Sequence, residues 1–248
     1  MIQSGYQVMV KCNATQRPSL ANIWEEVFPL NEPRAKSLIE ISGSAGTGKR
    51  LALYQLITRA AVTECVGGKC SQVILIDLVH KFDMSSLEEC IKRFIRTSNP
   101  GASTQLSIDC AISKYTQTIM HLPCYSLDQF ELAFEEIEEL LWDHKNVALL
   151  AIDGIETFYW EDCRYQLQRM TTHYKKLVKR LKQLCETHNI YCVYTADDKY
   201  LCKISALFPQ TNIDYRIKMT QNVDGGRFLN NLPIAINEAG GIEFLKKN

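Results

Sequence analysis

A glycine-rich octapeptide offers the clearest chemistry in this chain. It consists of Gly43, Ser44, Ala45, Gly46, Thr47, Gly48, Lys49 and Arg50. In the Walker A pattern, G-x-x-x-x-G-K-[ST], backbone N–H groups cradle phosphates, the lysine reaches the β- and γ-phosphates, and the last hydroxyl binds Mg²⁺. Arg50 stands at that last position, and a guanidinium has no acceptor atom, so it cannot bind a metal. The octapeptide therefore predicts a site for ATP or ADP that lacks the usual Mg²⁺ ligand.

A second candidate residue closes the apolar run from Val147 to Ile152. Asp153 follows this run directly, and a carboxylate at the end of a buried strand beside a phosphate-binding loop normally holds Mg²⁺. The alternative is an aspartate that only caps the turn after the strand. We include Asp153 among the predicted nucleotide-binding residues.

The composition is that of an ordinary globular protein, with 248 residues, 46% hydrophobic and 23% charged. Lys plus Arg and Asp plus Glu both total 28, which argues against a surface covered in basic charge for nucleic acid. No apolar run is long enough to span a bilayer, and the first residues lack a signal-peptide pattern, so we expect no membrane association. The ten cysteines form no C-x-x-C pair, which favours packed, reduced thiols in the cytosol or nucleus.

The spacing of apolar runs predicts an α/β fold in two parts. Residues 1–37 form a short N-terminal segment with one helix at Leu20–Phe28, capped by Ser19. Residues 38–248 form a core with a mostly parallel central sheet, helices on both faces and C-terminal β-hairpins. Strands are predicted at Leu38–Ile41, Val73–Asp77, Thr118–Leu122, Val147–Asp153, Ile190–Thr195, Ile213–Thr220, Leu232–Asn237 and Ile242–Leu245. Helices are predicted from the octapeptide to Ala61 and at 85–97, Leu127–Trp142 and 165–188, with 98–114 a loop or a frayed helix.

These motifs and their context resemble the RecA-type recombinases and their eukaryotic paralogues. The further segments that carry the resemblance are Arg17-Pro18-Ser19-Leu20, Phe82-Asp83-Met84, Phe158-Tyr159-Trp160, Ile213-Asp214-Tyr215-Arg216 and Ile236–Phe244. The resemblance covers about residues 17–244, with poor alignment at 98–117 and 198–212. It implies a RecA-like P-loop NTPase core.

The resemblance also implies that hydrolysis is impaired. Segment 76–82 corresponds to the family's I-D-T-E-G-T-F, whose glutamate is the catalytic carboxylate, and Val79 stands at that position here. Asp197 takes the place of the glutamine that usually ends the family's sensor strand. Together with Arg50, three parts of an ATPase are altered, whereas the phosphate-binding glycines and Lys49 remain. No catalytic residue is therefore predicted.

Arg50 has two interpretations. A cation in the first turn of a helix is unfavourable unless an anion lies there too, so Arg50 could neutralise nucleotide phosphates in place of Mg²⁺. Alternatively, its side chain turns to solvent beside a vestigial, empty pocket.

The family's two DNA-binding loops correspond to about 159–166 and 196–212. Both are short and poor in glycine here, so strong autonomous DNA binding is not expected. The candidate DNA contacts are Tyr159, Trp160, Arg164, Lys199 and Lys203. The two aromatic rings could stack on bases, or they could pack locally or against a partner.

The resemblance implies a non-hydrolysing or weakly active subunit that scaffolds a paralogue complex in homologous recombination and double-strand break repair, in the nucleus and in meiosis. The expected partners are another recombinase paralogue and, through the complex, the recombinase and single-stranded DNA. The alternative is a DNA-stimulated ATPase whose catalytic carboxylate is supplied in trans or by another residue of this chain. A small P-loop kinase is disfavoured because the loops offer no arginine-rich lid.

Overall fold

The apolar runs form the strands of one nine-stranded sheet in the computed structural model, which describes residues 17–98, 105–165, 169–205, 212–237 and 241–245. The strands are β1 Leu38–Gly43, β2 Gln72–Asp77, β3 Ile119–Pro123, β4 Val147–Asp153, β5 Tyr191–Asp197, β6 Tyr215–Gln221, β7 Arg227–Leu229, β8 Leu232–Ile236 and β9 Ile242–Phe244. Their order across the sheet is β3-β2-β4-β5-β1-β6-β7-β8-β9.

The sheet has a parallel part and an antiparallel edge, as the sequence predicts. Strands β3, β2, β4, β5, β1 and β6 pair in parallel. Strands β6 to β9 pair antiparallel, with a turn at Asp224-Gly225-Gly226 between β6 and β7. The short strand β7 was not predicted, because three residues between turns carry too little of an apolar pattern.

Helices cover both faces of the parallel part, which confirms the predicted α/β architecture. They are α1 Lys49–Ala61, α2 Met84–Ser98, α3 Gln105–Thr116, α4 Leu127–Asp143, α5 Tyr159–Tyr165, α6 Met170–His188 and α7 Asp198–Ser205, with a 3₁₀ turn at Glu64–Val66. Successive strand residues point to opposite faces: Val73 and Leu75 pack with α1, α2 and α3, whereas Ile74 and Ile76 pack with α4 and α6. None of the described helices has the length and apolar character needed to cross a membrane.

Helices occupy segments that the sequence assigns to loops. Helix α5 fills most of 159–166, and α7 begins within 196–212. Both helices carry acidic side chains in the first turn, which suit the positive end of a helix dipole. Helix α3 takes the second half of the polar stretch 98–114, and the predicted helix at 165–188 begins only at Met170.

The helix predicted at Leu20–Phe28 is wrong. This stretch forms turns, because Asn22 adopts a left-handed conformation with φ 56° and Pro29 ends the run. The backbone N–H of Asn22 donates to Glu32 O at 2.8 Å, and its side-chain Oδ1 accepts from Asn31 N at 2.6 Å, so the segment closes on itself. Its apolar residues still reach the core: Leu20, Ile23, Trp24 and Phe28 are buried in the cluster that includes α1.

Arg17 fastens this segment to the opposite layer of helices. The side chain is buried, and its guanidinium donates only to backbone carbonyls: Nε to His188 O at 2.6 Å, Nη1 to His144 O at 2.9 Å and Val147 O at 2.7 Å, and Nη2 to Leu141 O. Three of these carbonyls, those of Leu141, His144 and His188, lie at or just beyond the C-terminal ends of α4 and α6, where the last carbonyls of a helix lack partners and its dipole is negative, and Val147 is the first residue of β4. One guanidinium therefore donates hydrogen bonds to the C-terminal ends of two helices.

The cysteines that the structure describes are all free thiols, some buried and some exposed. Cys90, Cys124, Cys185 and Cys192 are buried, and burial raises the pKa of Cys90 and Cys124 to about 11. The exposed cysteines are Cys65, Cys70 and Cys110. The prediction of packed thiols thus holds for about half of the described cysteines.

Candidate functional site

The glycine-rich octapeptide connects the end of β1 to the start of α1. It therefore lies at the carboxyl edge of the parallel strands, where open α/β sheets bind ligands. Gly46 and Gly48 have φ of 80° and 102°, in the left-handed region that favours glycine. A Cβ on Gly48 would also lie 2.8 Å from Ile236 Cδ1 of β8. The loop is closed by Thr47, whose buried hydroxyl donates to Ser44 O at 2.8 Å.

A cavity of about 460 Å³ opens at this loop, within the usual size range for small-molecule sites. The loop residues that line it are Ser44, Ala45, Gly46, Gly48, Lys49 and Arg50. The ends of β4 and β5 contribute Asp153, Gly154, Glu156, Thr195 and Asp197. The structure thus brings most of the predicted nucleotide-binding residues together around one cavity. Gly43 and Thr47 lie behind its wall.

Lys49 is held inside the loop. Its Nζ donates to the carbonyl oxygens of Gly43 and, at 3.0 Å, of Ser44, and it lies 3.5 Å from Asp197 Oδ2. These partners satisfy the ammonium in the absence of a ligand. A phosphate that bound to Lys49 would have to compete with Asp197.

Asp197→Asn is expected to strengthen ADP binding by roughly fivefold, because it removes the charge that competes with phosphate for Lys49. Titration calorimetry in the presence of a chelator measures this directly. Asp198→Asn, one residue further on and outside the cavity wall, is the matched control and should leave the dissociation constant unchanged. An unchanged affinity in Asp197→Asn would show that the ion pair does not oppose binding.

Arg50 turns toward Asp153 rather than toward solvent. Its Nε lies 2.6 Å from Asp153 Oδ2, and the other carboxylate oxygen, Oδ1, accepts from Thr195 Oγ1 at 2.7 Å. Thr195 in turn accepts from Gly154 N at 2.7 Å. Both oxygens of Asp153 are therefore engaged by this chain, and the arginine that replaced the usual hydroxyl occupies the carboxylate that would hold a metal.

The residues at this site do not fit Mg²⁺. That ion requires oxygen ligands in near-ideal octahedral geometry, whereas here a guanidinium lies against the only predicted metal carboxylate. Within the described ranges, no three His, Cys, Asp or Glu side chains come together to hold a metal ion. The loop, Lys49 and the cavity, by contrast, suit phosphate oxygens.

Val79, which the resemblance aligns with a catalytic glutamate, lines the cavity and brings only a hydrocarbon surface. The buried carboxylate of Asp77 fixes the segment around it, accepting from the backbone N–H groups of Val79 at 3.1 Å, His80 at 2.9 Å and Phe82 at 3.1 Å. Val79 also packs against Gly154, where a Cβ would lie 2.2 Å from Val79 Cγ2. Val79 is therefore held firmly in place and cannot accept a proton from a water.

Glu156 is a cavity residue that the sequence analysis missed. It follows the end of β4 by three residues, and its Oε2 is buried without a hydrogen-bond partner. Burial raises the pKa of this carboxyl to about 7, an effect that Lys49 opposes and Asp197 and Asp153 reinforce. Its position on the turn after a buried strand was the available signal. Tyr54 on α1 also lines the cavity, and burial raises its pKa to about 12.

The candidate DNA contacts lie on two helices: Tyr159, Trp160 and Arg164 on α5, and Lys199 and Lys203 on α7. Tyr159 is 7% exposed and lies in an aromatic cluster with Trp160, His173 and Tyr200, which matches the local-packing interpretation for this ring. Trp160 is 68% exposed, and Arg164 and Lys199 are exposed. The side chain of Lys203 lies outside the described residues. Of Tyr159 and Trp160, only Trp160 therefore exposes enough of its ring for a base to stack on.

The chain is similar to DNA repair protein XRCC2 of Mus musculus. The two align over 194 residues at 26% identity, which covers 71% of this chain and 66% of that relative. No protein-family model matches the chain. The similarity confirms the resemblance to a DNA-repair paralogue of the RecA-type recombinases that the motifs predict.

Proposed function

We propose that this chain is a RecA-like P-loop subunit that binds ADP or ATP without hydrolysing it efficiently and scaffolds a recombinase-paralogue complex. The complex acts in homologous recombination and double-strand break repair in the nucleus. Its partners are another paralogue and, through the complex, the recombinase and single-stranded DNA. The similarity to a DNA repair protein supports the process, and the cavity geometry supports the biochemical role.

The observation that carries the biochemical part is the Arg50–Asp153 ion pair at 2.6 Å. Phosphoryl transfer depends on metal, positioned charge and an oriented water. Here the metal's carboxylate is held by an arginine, and Val79 cannot orient a water. The loop and Lys49 keep the groups that bind phosphate. The pocket is thus suited to holding a nucleotide and poorly suited to cleaving it.

The test is phosphate release by the purified chain, alone and with its co-purifying partner, with and without single-stranded DNA. We expect release by the chain alone to stay at roughly the uncatalysed background. Turnover of the complex should survive Lys49→Ala in this chain, because it belongs to the partner. Turnover abolished by Lys49→Ala here would overturn the proposal.

A second candidate is a DNA-stimulated ATPase that uses another carboxylate. One observation favours it: Glu156 lies in the cavity with one oxygen unpartnered and a pKa of about 7, which suits a general base. In that case Glu156→Gln should abolish DNA-stimulated phosphate release while nucleotide remains bound. In the scaffold proposal, the same substitution leaves turnover of the complex unchanged.

A further inference from the structure

Glu156 differs from the other described carboxylates around the cavity in having a buried oxygen with neither a cation at ion-pair distance nor a hydrogen-bond donor. Asp153 is paired with Arg50, and Asp197 with Lys49. Asp83 accepts from the hydroxyl of Ser86 at 2.5 Å and from backbone N–H groups at the rim. When ionised, Glu156 therefore adds negative charge that only the more distant charge of Lys49 offsets among the described residues.

The charges around the cavity oppose a phosphate unless one carboxyl is neutral. Four carboxylates line it, against three cations: Lys49, Arg50 and Lys81. A nucleotide normally arrives with Mg²⁺, which offsets much of its charge, but this site does not fit the metal. An ionised Glu156 beside phosphate oxygens would be an unfavourable like-charge contact. Its protonated form is instead a hydrogen-bond donor.

We propose that Glu156 binds the nucleotide phosphates as a neutral carboxylic acid, turning its buried, unpartnered oxygen into the cavity to donate a hydrogen bond, so that nucleotide binding takes up a proton from solvent. This inference rests on the proposed nucleotide binding. It makes Glu156 a phosphate-contacting residue. Nucleotide affinity at this site would then depend on pH rather than on the concentration of Mg²⁺.

The groups that face Glu156 determine the sign of the effect. They are Lys49 on α1, Asp153 at the end of β4, Asp197 at the end of β5 and Tyr200 on α7. Without nucleotide, the pKa of Glu156 is already raised to about 7, mainly by burial. An added phosphate raises it further. Affinity is therefore highest below this pKa and falls as pH rises through it.

The experiment uses ADP with a chelator and the full chain, with titration calorimetry in buffers of different ionisation enthalpy. Between about pH 6.5 and about pH 8.5, the wild-type affinity should fall roughly 20-fold relative to Glu156→Gln, with net proton uptake. The terminal phosphate of ADP also titrates in this range, and it does so equally with both proteins. The contribution of Glu156 is therefore the difference in pH dependence between wild type and Glu156→Gln. Glu64→Gln, an exposed site outside the cavity wall, is the matched control and should behave as wild type.

The outcomes separate this inference from the function on which it rests. Uptake of a proton by wild type that is absent in Glu156→Gln supports it. ADP binding with the same pH dependence in both proteins overturns it and leaves the proposed nucleotide binding intact. A wild-type chain that binds no ADP at any of these pH values overturns the proposed binding and this inference with it.

Discussion

Replacing Arg17 by alanine should lower the free energy of unfolding by about 3 kcal/mol, because it removes a donor from four backbone carbonyls, three at the ends of α4 and α6 and one at the start of β4. Burial lowers the pKa of this guanidinium from its usual value, but an arginine remains charged at neutral pH. The lost charge also faced the negative ends of α4 and α6. For a chain of this size, the melting temperature should fall by roughly 6–12 °C.

Urea titration followed by circular dichroism measures this difference. Arg17→Lys keeps the charge but has a compact ammonium that cannot reach all four carbonyls, so an intermediate loss is expected. The control is Arg34→Ala in the same segment, whose side chain is 83% exposed and pairs only with Glu32, for which a change within about 0.5 kcal/mol is expected. A similarly small change in Arg17→Ala would show that water replaces the guanidinium at no cost.

Arg50→Ser should convert nucleotide binding from metal-independent to metal-dependent. In a chelator, we expect ADP affinity to fall roughly 30-fold, about 2 kcal/mol, because the variant loses a cation and leaves Asp153 unpaired in the cavity. With Mg²⁺ added, the new hydroxyl and the released carboxylate supply oxygen ligands, and affinity should recover. The wild-type chain should bind ADP equally well in both buffers.

Arg50→Lys separates charge from metal binding. It keeps a cation near Asp153 and provides no hydroxyl, so ADP affinity should fall only slightly and should stay indifferent to Mg²⁺. Equal affinity of wild type and Arg50→Ser in chelator would support the interpretation of Arg50 as a bystander of a vestigial pocket. The structure places the Arg50 side chain against Asp153 at the cavity wall rather than in solvent, and its role toward phosphate stays a prediction.

The parallel sheet was predictable because strands covered on both faces are continuous apolar runs. Val147–Ile152 is such a run. The N-terminal helix was wrong because Leu20, Ile23 and Phe28 have spacing that a set of turns can satisfy equally well. Asn22 decides between the two by adopting a left-handed conformation, which apolar spacing does not reveal.

The sequence predicted several residues of the site but not the contacts between them. The loop and Asp153 follow from local patterns, but the Arg50–Asp153 pair joins residues 103 positions apart, and no local pattern encodes such a contact. Glu156 was missed for a related reason. Its chemistry comes from burial and from its neighbours on β5 and α1, so its unusual pKa is a property of the folded chain alone.

The Arg17 contact also constrains the timing of folding during synthesis. The acceptors of its guanidinium lie between 124 and 171 residues further along the chain. At typical elongation rates, the ribosome adds the intervening residues in roughly 10–30 seconds. Until His188 has been made, the Arg17 guanidinium lacks one of its four acceptors, although the segment that carries Trp24 and Phe28 leaves the exit tunnel well before it. During this interval the apolar side chains of Trp24 and Phe28, which are buried in the folded chain, do not yet have the complete Arg17 contact beside them.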